Sequence, residues 1–139
     1  EARQELLRAI ACDAPFGHSS QPWKAFDILH DLEREVGNTQ ASQQARQQAM
    51  QAYLSYRQDG GENMDQSRPL FEAVQEALAT GQTEALAAQL TPLLHAPNTP
   101  DRWKALFRVL LRLLAGERAS DLADDPELTY LDAVEVMLL

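Results

Sequence analysis

The chain is 139 residues long and carries 21 acidic against 12 basic residues, a formal net charge of −9. That balance excludes the basic footprint that nucleic-acid phosphates demand, and equally an attraction to anionic membrane surfaces. A single cysteine, Cys12, excludes an internal disulfide and a thiolate cluster for zinc.

Leu and Ala are the commonest residues, Gln and Glu are plentiful, and Val, Ile and Thr are scarce. β-Branched side chains lose rotamer freedom in a helix and suit a pleated surface, so this composition specifies helices. The length suits one ordinary domain with a core of its own. The expected fold is therefore all-α, a single-domain bundle of six to seven short helices over residues 1–139. Arg outnumbers Lys ten to two, which hints at a bacterial source. No basic region followed by an apolar stretch opens the chain, so no signal peptide is expected and the cytoplasm is the expected location.

The first helix is predicted over Glu1–Cys12 and stops at Asp13-Ala14-Pro15. Cys12 closes an apolar run and is expected to be buried as a small hydrophobe. A loop follows over Phe16–Gln21. Pro22 opens the second helix at its first turn, where a missing N–H costs nothing. That helix runs to Val36, with Phe26, Leu29, Leu32 and Val36 as its inward stripe, and stops at Gly37-Asn38, a left-handed cap pair.

Thr39 is expected to cap a third helix reaching about Gln58. Its Ala41, Ala45, Ala49, Ala52 and Tyr56 recur every three or four residues and let a neighbouring helix approach closely. The remainder is rich in glutamine, from Gln40 to Gln51, and reads as a solvated face. Asp59-Gly60-Gly61 ends it. Pro69–Thr80 is the fourth helix, with Leu70, Val74, Ala77 and Leu78 inward. Thr83 is expected to cap the fifth, about Glu84–His95, with Leu86, Leu90, Leu93 and Leu94 inward and a kink at Pro92. The short link between these two makes a helical hairpin.

The sixth helix, Pro100–Ala115, is the predicted centre of the core. Trp103, Leu106, Phe107, Leu110, Leu111 and Leu114 follow a 3-4-3-4 pattern, and Val109 and Leu113 widen the face. Its polar side is the row Lys104, Arg108 and Arg112. Asp125-Pro126 is expected to start a seventh helix, with Asp125 as N-cap. Two helix ends, at Gly81 and Gly116, are 35 residues apart, close to the tetratricopeptide period of about 34. The other consensus positions of that repeat do not match, which leaves degenerate helical-hairpin repeats as a variant of the bundle.

No cluster of residues reads as an active site. His18, His30 and His95 form neither H-x-x-x-H nor H-E-x-x-H, so no helical zinc pair exists. His18 beside Ser19 reads as a polar turn, because triads are assembled in space. His30 with Glu33 or Asp27 is the one constellation that a bundle cleft would assemble into an enzyme site. Gly60-Gly61 precedes no Lys-Ser or Lys-Thr, which excludes a nucleotide P-loop, and the Asp59–Asp65 stretch fails the calcium-loop spacing. No catalytic residue, cofactor or metal is assigned.

Charge is the feature with a pattern. After the sixth helix come Glu117, Asp121, Asp124, Asp125, Glu127, Asp132 and Glu135, against Arg118 alone. Asp125 and Glu127 suit a helix start, and others are expected to pair with the basic row of the sixth helix. The remainder, taken as Asp121, Asp124, Asp132 and Glu135, forms a candidate docking face for a basic protein surface. Tyr53 and Tyr56 on the Gln-rich helix are the second candidate. The function expected from this pattern is a non-enzymatic protein–protein interaction module. Its most concrete form is an immunity-protein-like inhibitor that neutralises a toxin. A helical-repeat adaptor or chaperone, and an enzyme assembled only in three dimensions, are the alternatives. EDTA is expected to leave the melting temperature unchanged, since a bound ion would raise it by mass action. A fall of several degrees, reversed by one metal, would reopen the Asp59–Asp65 loop as a cation site.

Overall fold

The computed structural model describes residues 1–139 and is all-α, without a strand. The α-helices are α1 (Ala2–Asp13), α2 (Pro22–Glu35), α3 (Thr39–Gln58), α4 (Arg68–Thr80), α5 (Thr83–His95), α6 (Asp101–Leu114), the short α7 (Ala119–Leu122) and α8 (Tyr130–Met137). The predicted Phe16–Gln21 loop belongs to a 3-10 run, Ala14–Ser20, interrupted at Gly17. No helix is long and apolar enough to cross a membrane. The chain forms two compact units, Glu1–Glu62 and Asn63–Leu139.

In the first unit α2 packs along α3, and α1 lies against α2. The buried line of α3 is Ser42, Ala45, Ala49 and Tyr53, at helical spacing. Alanines there bring α2 close, so the side of α2 that meets them holds Trp23 and His30. Of the stripe expected on α2, Leu29 is buried and Phe26 and Leu32 are half-buried, but Val36 falls past the helix end and is 64% exposed, while Trp23 and Glu33 join the buried side. Every glutamine from Gln40 to Gln51 is exposed, as a solvated face requires. Asn38 stands at the N-terminus of α3, but its side-chain amide donates to Glu33 Oε2 (2.8 Å) and leaves the helix without a side-chain cap. Cys12 is exposed, not buried, because α1 contributes no buried residue at all.

In the second unit α4 and α5 meet across the Gly81-Gln82 link, and α5 packs on α6. Gly81 holds φ +77°, a left-handed cap that side chains resist. The helix α5 runs through Pro92 to His95. It buries only Leu90, leaving Leu93 half in solvent, and Leu78 on α4 is likewise exposed where burial was expected. The sixth helix is the core element: Ala105, Leu106, Phe107, Val109, Leu110, Leu113 and Leu114 are buried, with Trp103 and Leu111 at its edges.

The last stretch departs most from expectation. The predicted seventh helix starts five residues late, as α8, and a short helix that was not expected, α7, precedes it. Asp125 does not cap a helix; its Oδ1 accepts from the Glu127 amide (2.9 Å), a local turn bond that halts the chain before the helix begins. Thr129 caps α8 instead, its Oγ1 accepting from the Asp132 amide (3.1 Å).

Leu110 is fully buried and Gln47 is exposed. Leu110→Ala is expected to cost about 2–5 kcal/mol in urea unfolding, the range for a large-to-small core change. Gln47→Ala is expected to stay within about 0.5 kcal/mol. Similar losses at both sites would contradict this burial pattern.

Candidate functional site

The acidic segment after α6 separates into two populations. Asp132 is 0% exposed and Glu135 4%, so neither belongs to a solvent-facing docking surface. Helical geometry explains this. Asp132 and Glu135 lie three apart on α8, among the buried Tyr130, Ala133, Val134 and Val136. A helix this short, with apolar residues around its girth, buries its acids along with its hydrophobes. Asp121 and Asp124, by contrast, are exposed, on α7 and the turn after it.

A carboxylate buried this deeply requires a cation, and α6 supplies one. Arg102 donates from Nε and Nη2 to the two oxygens of Asp132 (3.1 and 3.0 Å). The same Nη2 reaches Asp65 Oδ2 at 2.5 Å. One guanidinium therefore joins three segments of the second unit: the loop before α4, the start of α6 and the start of α8. The fork geometry suits it, as two parallel bonds to one carboxylate orient both partners. Arg102 also stacks over the Trp103 ring, 5.1 Å from its centroid. Burial works against the charge on Arg102, but the hydrogen bonds it donates to Asp132 and Asp65 overcome it and raise its pKa. Burial likewise opposes ionisation of Asp65, yet the Arg102 bond and Ser67 hold its carboxyl below the ordinary range.

Around this lock the loop is folded on itself. The Asp65 amide donates to Asn63 Oδ1 (2.9 Å), and the Ser67 amide to Asp65 Oδ2 (3.0 Å). Asp59 is engaged elsewhere, its Oδ2 lying 2.7 Å from His18 Nε2. The carboxylates of the Asp59–Asp65 stretch thus serve different partners, and no group of three His, Cys, Asp or Glu side chains converges as metal ligands.

Two of the three residues in the basic row of α6, Arg108 and Arg112, meet acids. Arg108 Nη2 pairs with Glu127 (2.5 Å), and Arg112 grips Glu117 with two bonds (2.8 and 2.7 Å). These pairs are solvent-facing and contribute little to stability. Asp121 and Asp124 remain outside every such pair.

Tyr53 and Tyr56 take part in an aromatic cluster. Tyr53 is buried, its ring 5.7 Å from Trp23 in a T-shaped pair, while Tyr56 lies 4.7 Å from Trp23 and is half-buried. His18 meets the Tyr56 ring edge-on at 5.9 Å. Tyr56 also closes the loop after α3: its hydroxyl donates to the Glu62 carbonyl (3.1 Å) and accepts from the Glu62 amide (3.2 Å). Gly61 sits so close that a Cβ there would meet the Tyr56 ring at 2.4 Å. Tyr53 is therefore a packing residue, and only the edge of Tyr56 reaches solvent. Sequence reasoning missed Trp23, whose position at the start of α2, one helical turn before Phe26 and Asp27, is the signal that would have found it.

No hydrogen bond joins His30 to Glu33 or Asp27; its partner is Ser42. His30 Nδ1 lies 2.8 Å from the Ser42 carbonyl oxygen, which only accepts, so Nδ1 carries the proton. The Ser42 hydroxyl donates to the His30 carbonyl (3.0 Å). The serine proton is committed to backbone, so the pair staples α2 to α3. Glu33, 1% exposed, pairs with Arg3 and with Asn38 Nδ2. The Arg3 and Asn38 bonds outweigh burial and hold its carboxyl below the ordinary range. Burial and the adjacent Asp31 push Asp27 up, against His30, Arg46 and Arg34.

Comparison with protein-family models, curated proteins and solved structures finds no match. The function must be argued from these side chains.

Glu33 and Asp65 have folded-state pKa values depressed below those of the unfolded chain. Their stabilisation is complete above the unfolded values, near pH 4, and is lost as pH falls through the depressed folded ones. Stability is therefore expected to fall below about pH 4. The double variant Glu33→Gln, Asp65→Asn should start less stable at pH 7 and lose less on acidification. An unchanged acid limb in urea titrations at pH 7 and pH 3 would show that these two carboxylates do not set the acid sensitivity.

Proposed function

We propose that the protein is a non-enzymatic interaction module that docks a basic surface of another protein. In its most concrete form it neutralises that partner, as an immunity protein does a toxin. One observation carries the reading. Of the acids in the terminal segment, Asp121 and Asp124 stay in solvent without a cation, while their neighbours are spent within the fold. The unit that carries these two holds twelve acids against six basic residues. Such a face accelerates encounter with a basic partner by electrostatic steering. Asp132 and Glu135 are removed from this surface and belong to the interior.

The experiment is an association-rate measurement with a partner captured from source lysate and purified. The double reversal Asp121→Lys, Asp124→Lys is expected to slow association at least several-fold at low salt. Raising the salt should slow the wild type toward the variant, because exposed charges are screened over about 8–10 Å at moderate ionic strength. Stability should change by less than about 1 kcal/mol. Salt-independent association, unaltered by the reversal, would assign these acids to solubility alone.

A further inference from the structure

The helix α1 is attached to the first unit differently from α2 and α3. None of its residues is buried; Leu6 and Ile10 are half-buried and the rest lie open to solvent. The one side-chain bond that α1 sends beyond itself runs from Arg3 Nε to Glu33 Oε1 on α2. Glu33 lies beneath that bond, buried, with its other oxygen held by Asn38 Nδ2 (2.8 Å). The chain just after α1 is anchored instead. His18 Nε2 lies 2.7 Å from Asp59 Oδ2 at the end of α3, and its ring meets Tyr56 edge-on. Between the helix and this anchor stands Gly17, at φ +58° and ψ −137°, a kink inside the 3-10 run. Two hydroxyl bonds span the kink, from Ser19 Oγ to the Phe16 carbonyl (2.7 Å) and from Ser20 Oγ to the Gly17 carbonyl (2.9 Å). Both are exposed, and water replaces such bonds at little cost.

We propose that α1 is a releasable strap: it lifts as a unit about Gly17 while α2 and α3 stay folded, and so controls whether the Glu33 carboxylate is shielded or presented to solvent. An element with few buried apolar contacts opens at a free energy well below that of global unfolding. Here the lift gives up the half-buried contacts of Leu6 and Ile10 and one ion pair. The carboxylate is not stranded by it. Asn38 keeps Oε2, and water reaches Oε1 as Arg3 leaves, so no buried charge is left unserved. The pivot is a glycine beside a fixed residue, and a hinge needs one position that absorbs a change in backbone angles. Closed, Arg3 compensates Glu33; open, the first unit presents a bare acid on α2 where a guanidinium had been. This device lies in the first unit and does not depend on the acidic face of the second.

The test uses the full chain as wild type, Arg3→Gln, Arg3→Lys and Gly17→Ala. Each is followed by residue-resolved amide hydrogen exchange, and by labelling of carboxylates with a carbodiimide and glycine ethyl ester. Gly17→Ala leaves Arg3 and Glu33 in place, because a Cβ there meets nothing within 4 Å. It disfavours the closed turn through φ alone. In wild type, the amides of residues 6–13 are expected to exchange with one common protection, about tenfold or more below that of Ala45, Ala49 and Tyr53 on α3. Arg3→Gln and Gly17→Ala should each speed the α1 amides together, by about threefold or more, and raise Glu33 labelling in step. Arg3→Lys keeps the cation and should stay near wild type. The α3 amides should not change, and buried Glu135 should stay unlabelled, which separates lifting from unfolding. Three results overturn the strap. One is protection that rises steadily from residue 6 to residue 13, the mark of a fraying end. Another is equal protection of α1 and α3. The third is Glu33 labelling that Gly17→Ala leaves unchanged.

Discussion

A carboxylate removed from water must find a cation or hydrogen-bond donors, or it will not stay ionised. This constraint acts beside the apolar stripes and selects which segments they bring together. Asp132 and Glu33 are both buried, and each draws a distant segment to itself. Asp132 takes Arg102, thirty residues earlier, and through it the loop at Asp65. Glu33 takes Arg3, thirty residues earlier, and Asn38. Asp132 and Glu33 are thus each matched by a long-range tie within their own unit. Replacing such pairs by hydrocarbon of the same shape is often neutral, so their contribution is less a gain in stability than a choice of arrangement.

The same constraint sorts the surface. An acid bound to Arg102, Arg108 or Arg112 has little left to offer a partner, because its field is already compensated. Once those are set aside, the terminal segment presents Asp121 and Asp124. The uncompensated acidic surface of this segment is therefore smaller than the net charge of −9 suggests. The aromatic cluster makes a parallel point. Trp23, Tyr53 and Tyr56 satisfy one another and close the end of α3, leaving Phe16 as the aromatic side chain most open to solvent.

The all-α architecture was legible in the sequence because it depends on local chemistry. Proline at first turns, glycine at Gly81 and Gly116, and the 3-4 spacing around Leu106, Leu110 and Leu114 each act within a few residues. What was not legible depends on which neighbour an element meets. The α2 stripe lost Val36, which falls past the helix end, and gained Trp23, which packs on Tyr53 of α3; periodicity reports neither the helix end nor the neighbour. The α1 helix was assigned a buried Cys12 from its apolar run, but it lies on the outside of α2 and buries nothing. Asp132 and Glu135 looked like surface because charged residues usually are; the only local hint was that their neighbours on α8 are apolar on every side. The turn at Asp125 won over helix capping because an aspartate bonds an amide two residues on as readily as one that starts a helix.

The central claim is that the acidic segment holds structural and surface carboxylates side by side, and it is tested most directly by urea unfolding of Asp132→Asn beside Asp121→Asn at pH 7. Asp132→Asn should lose about 3 kcal/mol, the low end of the cost of breaking a buried ion pair. Asp121→Asn should stay within about 0.5 kcal/mol of wild type, as at an ordinary exposed site. Equal stabilities for the two variants would mean that Asp132 is not locked by Arg102, and the division of the acidic segment would fail.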